Sequence, residues 1–168
     1  MNDLLVWALS KARQQTLNLV ADLDEEQMCQ QSVAGENHPA WTLGHLFLAD
    51  CMVLSVFQGA NAPQMPKGWV EVYAPGNPPN SDKNRYHPKE QLIEQLIKTE
   101  QIRKQVIEQL TVEDLAKPTP DPRFAVTQPT IGHILHYLLF HEGNHGGQLA
   151  AWRKARNLVS GSGAFGVV

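Results

Sequence analysis

The strongest constraint on the fold is a helical repeat of apolar side chains, which occurs in four separate segments of the chain. Apolar residues spaced three and four apart lie on one face of a helix, whereas a half-buried strand would alternate. The first segment spans residues 3 to about 22, the second starts between His38 and Thr42 and ends at Gly59, the third begins at Pro88, and the fourth spans about Ile131 to Asn157. We find no strand pattern, so the sequence predicts an all-α fold.

The connections between these segments indicate how the helices are arranged. Between Gly59 and Pro88 the chain is rich in proline, glycine and asparagine, which predicts a long irregular loop over about residues 60–87. The other two connections are shorter. We therefore predict a single four-helix bundle over residues 1–168, in which the long loop crosses between two helical hairpins. The small residues after the last helix predict a flexible tail at about residues 159–168.

Composition limits the class of protein and its partners. The chain has 168 residues, of which 42% are hydrophobic, and this is enough to fill the core of one domain. A formal charge of −3 and the lack of a basic run argue against nucleic acid as a partner. We recognise neither a signal peptide nor an apolar stretch long enough to span a membrane, and Cys29 and Cys51 suit reduced thiols. These features predict a cytoplasmic protein.

The stretch HEGNHGGQL at residues 141–149 has the form of HExxH, the signature of zinc metalloproteases. His141 and His145 lie one turn apart on one helix face, so both imidazoles can reach one ion. A catalytic zinc needs a third protein ligand, which in those proteases follows the motif. After His145 the chain has no Asp, Glu or His. A metalloprotease of this type is therefore excluded, and only upstream residues can complete a site.

The two histidines lie on a largely apolar face of the predicted fourth helix. That face consists of Ile134, Tyr137, Leu138, His141, His145, Gln148 and Trp152. Histidines that point into a bundle core need polar partners. Either neighbouring protein groups or a metal ion can satisfy them, and the spacing alone leaves both alternatives open.

The best-placed third ligand upstream is His45, which lies within the second helix beside Gly44. Its position fits a metal ligand, and it fits equally a buried histidine bonded to a backbone carbonyl. The remaining histidines are less suitable because they lie too far along the fourth helix, on another of its faces, or at a helix start: His133, His136, His38 and His87.

Three motifs carry a resemblance to a known family. They are WTLGHL at residues 41–46, YHPKEQLIEQL at residues 86–96 and HEGNHGGQLAAWRKARNL at residues 141–158. Together they resemble the DinB/YfiT-like family of metal-dependent enzymes over nearly the whole chain. The resemblance implies a four-helix bundle of up-down-down-up topology and a metal held by three histidines. Carried over by motif, these are His45, His141 and His145.

Three imidazole ligands leave a coordination position open for water or substrate. The resemblance therefore implies a metal-dependent enzyme that acts on a small molecule. One possibility is a hydrolase that uses metal-bound hydroxide, and the other is an S-transferase that takes a low-molecular-weight thiol as cosubstrate. We expect zinc or nickel as the ion. The alternative is a non-catalytic, stress-associated bundle that binds metal, and in either case we expect a homodimer.

Three further residues are candidates for roles at this site. Tyr137, one turn before His141, could donate a hydrogen bond to a group on the metal, or simply pack in the core. Glu142 lies about 100° around the helix from His141, so we interpret it as a solvated or supporting carboxylate. Both are weak catalytic candidates. Gln148 is expected either to orient a ligand histidine through a hydrogen bond or to tie two helices together.

Overall fold

The computed structural model describes residues 2–158, and its regular elements in that range are all helical. In chain order they are α1 (Asn2–Asn18), α2 (Glu25–Met28), α3 (Pro39–Gln58), α4 (Trp69–Tyr73), α5 (Lys89–Gln109), α6 (Val112–Ala116), α7 (Pro122–Ala125) and α8 (Ile131–Ala155). Short 3₁₀ turns occupy Gly59–Asn61 and Lys83–Arg85, and one isolated β-bridge joins Pro118 to Thr130. The all-α prediction is confirmed. The predicted tail at about residues 159–168 lies outside the described residues.

The four long helices α1, α3, α5 and α8 correspond to the four apolar segments of the sequence. Two residues define the start of helix α3. Pro39 occupies the first turn, and the side chain of His38 caps the helix by accepting a hydrogen bond from the backbone N–H of Trp41. Helix α1 ends at Asn18, earlier than predicted. The side chains of Leu19 and Val20 remain buried in the turn that follows, so the apolar spacing continues beyond the end of the helix.

Helix α1 packs against α5 and α8, and α3 packs against the same two helices, so the long helices form a ring of neighbours. Arg153 near the end of α8 donates a hydrogen bond to the carbonyl of Leu19, just beyond the end of α1. At the other end, Leu9 of α1 shares an apolar cluster with Ile134 of α8. Helices α1 and α8 therefore run in the same direction.

Helices α3 and α5 run opposite to this pair. Asn2 at the start of α1 donates to the carbonyl of Ile107 near the end of α5. Near the start of α3 His45 meets His141 of α8, whereas Val53, further along α3, packs in the cluster that contains Ile134. These contacts agree with the up-down-down-up order that the family resemblance implies.

The long connection differs from the predicted irregular loop at Trp69–Tyr73, which form α4. The side chains of Trp69 and Tyr73 are completely buried, and α4 packs against α3. The ring of Tyr73 lies directly on Gly44, where an added Cβ would stand 2.2 Å from a ring carbon. A glycine at position 44 is therefore required for this segment of the connection to pack against the bundle.

Helix α3 is long and apolar enough to cross a membrane by length and composition alone. In this structure 72% of its apolar window is buried inside the protein, so its hydrophobicity serves the core. Such burial is typical of the central helix of a soluble protein. The cytoplasmic location stays a prediction.

Candidate metal centre

Three histidines from two helices meet at one point inside the bundle. His45 comes from α3, and His141 and His145 come from α8. One ring nitrogen of each lies within 4.8 Å of those of the other two. The closest approach joins Nε2 of His45 to Nε2 of His141, at 3.1 Å. The two histidines of the HExxH-like motif and the histidine of WTLGHL thus form one group.

The imidazoles are held in their neutral form. His45 and His145 are buried and His141 is half-buried. Burial lowers the pKa of His141 and of His145 to about 4, and it also lowers the pKa of His45, because it disfavours the charged ring. At neutral pH each ring therefore keeps a nitrogen lone pair that can bind a cation.

Hydrogen bonds on the far side of two rings determine which nitrogen carries that lone pair. Nδ1 of His45 lies 2.9 Å from the carbonyl oxygen of Tyr73, and a carbonyl can only accept, so Nδ1 carries the proton. Nδ1 of His145 donates in the same way to Oε1 of Gln148 at 3.0 Å. The amide of Asn37 donates to that same Oε1, at 3.1 Å, which fixes it as the acceptor. Both histidines therefore present Nε2 with its lone pair free.

This donor set fits a transition metal. Since the proton of His45 is on Nδ1, its Nε2 can face Nε2 of His141 at 3.1 Å only if His141 supplies a proton or a cation lies between them. Zn–N bonds of about 2.0–2.1 Å place two ligands of a tetrahedral ion roughly 3.3 Å apart, close to this separation. Imidazoles whose other nitrogen is hydrogen-bonded are the ligands that protein zinc and nickel sites use.

Two aromatic rings form the walls of the site. The indole of Trp41 stacks on His45 with the ring planes 7° apart and the centroids 4.7 Å apart. Trp41 is buried, and among the described residues its Nε1–H has no hydrogen-bond partner. Tyr137 stacks on His141 at 5.6 Å and is 37% exposed, so it marks the edge of the site that faces solvent. Tyr137 is therefore not a residue that simply packs in the core.

Glu142 lies beside the site but faces another partner. It is buried, and both of its carboxylate oxygens bind Arg13, with Nε at 2.9 Å and Nη2 at 2.7 Å. Of the two interpretations given above, a solvated carboxylate is wrong because the side chain is buried, and a supporting carboxylate stays a prediction. Because the bidentate pair engages both oxygens, a role as general base would require Glu142 to release Arg13.

Arg13 belongs to a buried network of charges that the sequence reasoning missed. Its Nη2 also binds Asp50 at 3.0 Å, and Asp50 in turn binds Arg103 and Thr99. Burial alone would raise the pKa of Asp50, yet Arg103 and Arg13 lower it below its ordinary value. Burial would likewise lower the pKa of Arg13, but Glu142 and Asp50 raise it. The positive charges of Arg13 and Arg103 thus neutralise the negative charges of Asp50 and Glu142 in the core beside the histidines.

The histidines considered less suitable as ligands do not join the group. His38 lies between the carbonyls of Met28 and Asn80, and His87 bonds the hydroxyl of Tyr73. His133 and His136 are exposed on α8. The cysteines are buried free thiols, and burial raises the pKa of Cys29 to about 11 and of Cys51 to about 12, so both are unreactive at neutral pH.

Comparison with known protein families assigns the chain to one of them. The family model described as DinB superfamily matches residues 8–149, a range that includes all three clustered histidines. The chain therefore belongs to the DinB superfamily. Among curated proteins, a search found no match. Family membership and the clustered histidines together fit a metal-binding protein.

Proposed function

We propose that this protein is a metal-dependent enzyme that transfers the sulfur of a low-molecular-weight thiol to a small electrophilic substrate, with zinc or nickel held by His45, His141 and His145. The observation that supports the proposal is a group of three neutral imidazoles that lie close together. Hydrogen bonds to neighbouring protein groups fix the position of the proton on two of them. An ion held by these three imidazoles would act as a Lewis acid, which lowers the pKa of a bound thiol or polarises a substrate oxygen.

The protein's own contribution is to hold that set in place. The carbonyl of Tyr73 and the amide oxygen of Gln148 keep the protons of His45 and His145 on Nδ1, away from the site. The buried ring of Trp41 restricts water on one side and brings an unsatisfied N–H next to His45.

The surroundings favour S-transfer over hydrolysis. An ion held here would lower the pKa of bound water toward ~7, but the carboxylate of the motif is not free to assist as a general base, since Glu142 is bound to Arg13. A thiol with a pKa near ~8.5 gives up its proton far more readily than water does. In the transfer the thiol proton passes to solvent, the sulfur pair forms a C–S bond with the electrophile, and the leaving group departs with its bonding pair.

The test is a comparison of three reactions with protein loaded with zinc or with nickel. A chlorodinitrobenzene electrophile is offered with glutathione or cysteine, and nitrophenyl acetate is offered without any thiol. Turnover that requires both thiol and metal, and is lost in His141→Ala, supports the S-transferase. Ester cleavage without thiol would identify the hydrolase instead. Bound metal with no turnover in either assay would favour the non-catalytic, stress-associated alternative.

A further inference from the structure

We propose that a recess between α8 and the loop that precedes α3 is a binding site for a small, uncharged molecule with peptide-like amide groups. The recess has a volume of about 480 Å³, which lies within the range of roughly 300–1,000 Å³ that is typical of small-molecule pockets. Its lining includes Glu36 and Asn37 of the loop and Gln148, Ala151, Trp152 and Ala155 of α8. This inference stands on the recess alone and does not depend on the proposed reaction.

Two side-chain amides at the recess offer one acceptor and one donor to a ligand. Nδ2 of Asn37 donates to Oε1 of Gln148 at 3.1 Å, and the same Oε1 also accepts from Nδ1 of His145. Among the described residues, Oδ1 of Asn37 and Nε2 of Gln148 are left without a partner. The first atom can only accept and the second can only donate. Amide chemistry satisfies both, because an amide carries an N–H donor and a C=O acceptor.

The charges at the recess indicate that its ligand is neutral. Glu36 is the one charged residue in its lining as the structure describes it. The carboxylate of Glu36 binds Nη2 of Arg156 at 2.9 Å and also accepts the backbone N–H of Ser32 at 2.6 Å. A charged ligand would lose hydration here without gaining an unpaired opposite charge. An uncharged molecule avoids that cost.

Hydrogen bonds hold the two walls of the recess together. Nε1 of Trp152 on α8 donates to the carbonyl of Gln30 in the loop at 2.9 Å. The guanidinium of Arg156 lies 4.1 Å from the centre of the Trp152 ring and joins the end of α8 to the loop through Glu36. The recess is therefore already formed, and a ligand gains affinity because it does not have to order the loop.

The recess lies next to the candidate metal centre. Gln148 accepts the proton of Nδ1 of His145 at 3.0 Å, so the ring of His145 separates Gln148 from the metal-facing Nε2. The amide site is therefore on the outer side of one proposed ligand, apart from the ring nitrogens that would hold the ion.

The experiment adds N-acetylalanine methylamide, an uncharged probe with peptide-like amides, to isotope-labelled protein. Nuclear magnetic resonance follows the side-chain amide signals of Asn37 and Gln148. We expect both signals to shift in a saturable way in metal-free and in zinc-loaded protein, since the recess contains no metal ligand. The matched probe is methyl O-acetyllactate, in which ester oxygens replace the N–H groups. It should bind roughly two- to tenfold more weakly, because it cannot donate to Oδ1 of Asn37.

Two variants locate the site. Ala151→Phe fills the recess with an aromatic ring and should abolish the shifts. The matched control is Ala116→Phe, which adds the same ring at an exposed alanine at the end of α6 and should bind the probe like wild type. Circular dichroism and zinc content are measured on both variants, so that a loss of binding caused by misfolding is recognised.

Three outcomes would overturn the proposal. They are the lack of a saturable shift in wild type up to the solubility limit of the probe, equal affinity for the amide and the ester, and binding that survives Ala151→Phe in full. Turnover requires the metal, whereas binding of the probe does not. Bound probe without turnover would therefore count against the proposed reaction alone, and turnover without bound probe would count against this site alone.

Discussion

The carbonyl oxygen of Tyr73 accepts a hydrogen bond from Nδ1 of His45 at 2.9 Å, which joins the long connection directly to the candidate metal centre. Tyr73 is held at both ends, because its hydroxyl also bonds His87 and its ring lies against Gly44. The loop that crosses between the two helix pairs therefore controls the proton position and the orientation of one proposed ligand.

Gly44→Ala should weaken metal binding without removing any ligand. The added Cβ would stand 2.2 Å from the ring of Tyr73, so the ring and its carbonyl must move away from His45. Loss of such a supporting hydrogen bond lowers metal affinity by about 10–100-fold. Competition with a chromogenic chelator measures the affinity. Ser55→Ala on the same helix, whose hydroxyl donates to the nearby carbonyl of Met52, should leave the affinity unchanged.

Gln148→Leu should have a comparable effect through the other fixed histidine. The substitution preserves side-chain size but removes the acceptor of the His145 proton. We expect metal affinity to fall by about 10–100-fold. Asn37→Ala is the control, because it removes only the second donor to Gln148 and leaves the bond to His145. Equal losses in the two variants would show that Gln148 acts by tying chain segments together.

Arg13→Met should destabilise the whole fold. The substitution leaves the buried carboxylates of Glu142 and Asp50 without their shared partner. Removing one partner of a buried pair costs about 3–5 kcal/mol. Chemical denaturation measures the free energy of unfolding, with Lys11→Met, an exposed substitution on the same helix, as the control. A loss no larger than that of the control would contradict the structural role of the network.

The stability of the protein should fall in acid partly through Asp50. Its pKa is lowered in the folded state, so its ion pairs contribute stability fully above the unfolded pKa of about 3.9. That contribution is lost as the pH falls through the lower folded pKa. Asp50→Asn should therefore be less stable than wild type at neutral pH and show a shallower loss of unfolding free energy below about pH 4. Parallel curves for the two proteins would contradict this assignment.

The sequence was sufficient for the long helices, because their apolar side chains recur at helical spacing. It was insufficient for α4, whose formation depends on the burial of Trp69 against Phe47 and of Tyr73 against Gly44, contacts that are distant in sequence. The sequence does contain one sign of the buried charges, a charged residue on the core face of α1. Arg13 stands between Leu9 and Thr16 on the core face of α1, where a charged residue needs a buried partner.

His45 illustrates why position alone could not distinguish a ligand from a satisfied core histidine. The two interpretations describe different nitrogens of one ring: Nδ1 bonds the carbonyl of Tyr73, and Nε2 faces His141. Only the three-dimensional packing reveals both. The sequence alone also could not decide between a solvated and a supporting role for Glu142, since its partner Arg13 lies 129 residues away in the chain.

Elemental analysis tests the central claim most directly. Protein purified without a histidine tag is compared with His45→Ala, His141→Ala and the control His136→Ala, which removes an exposed histidine from the same helix. We predict close to one zinc or nickel ion per chain in wild type and in His136→Ala, and little in the other two variants. A metal-free wild type after reconstitution, or equal metal content in all four proteins, would contradict a centre built from His45, His141 and His145.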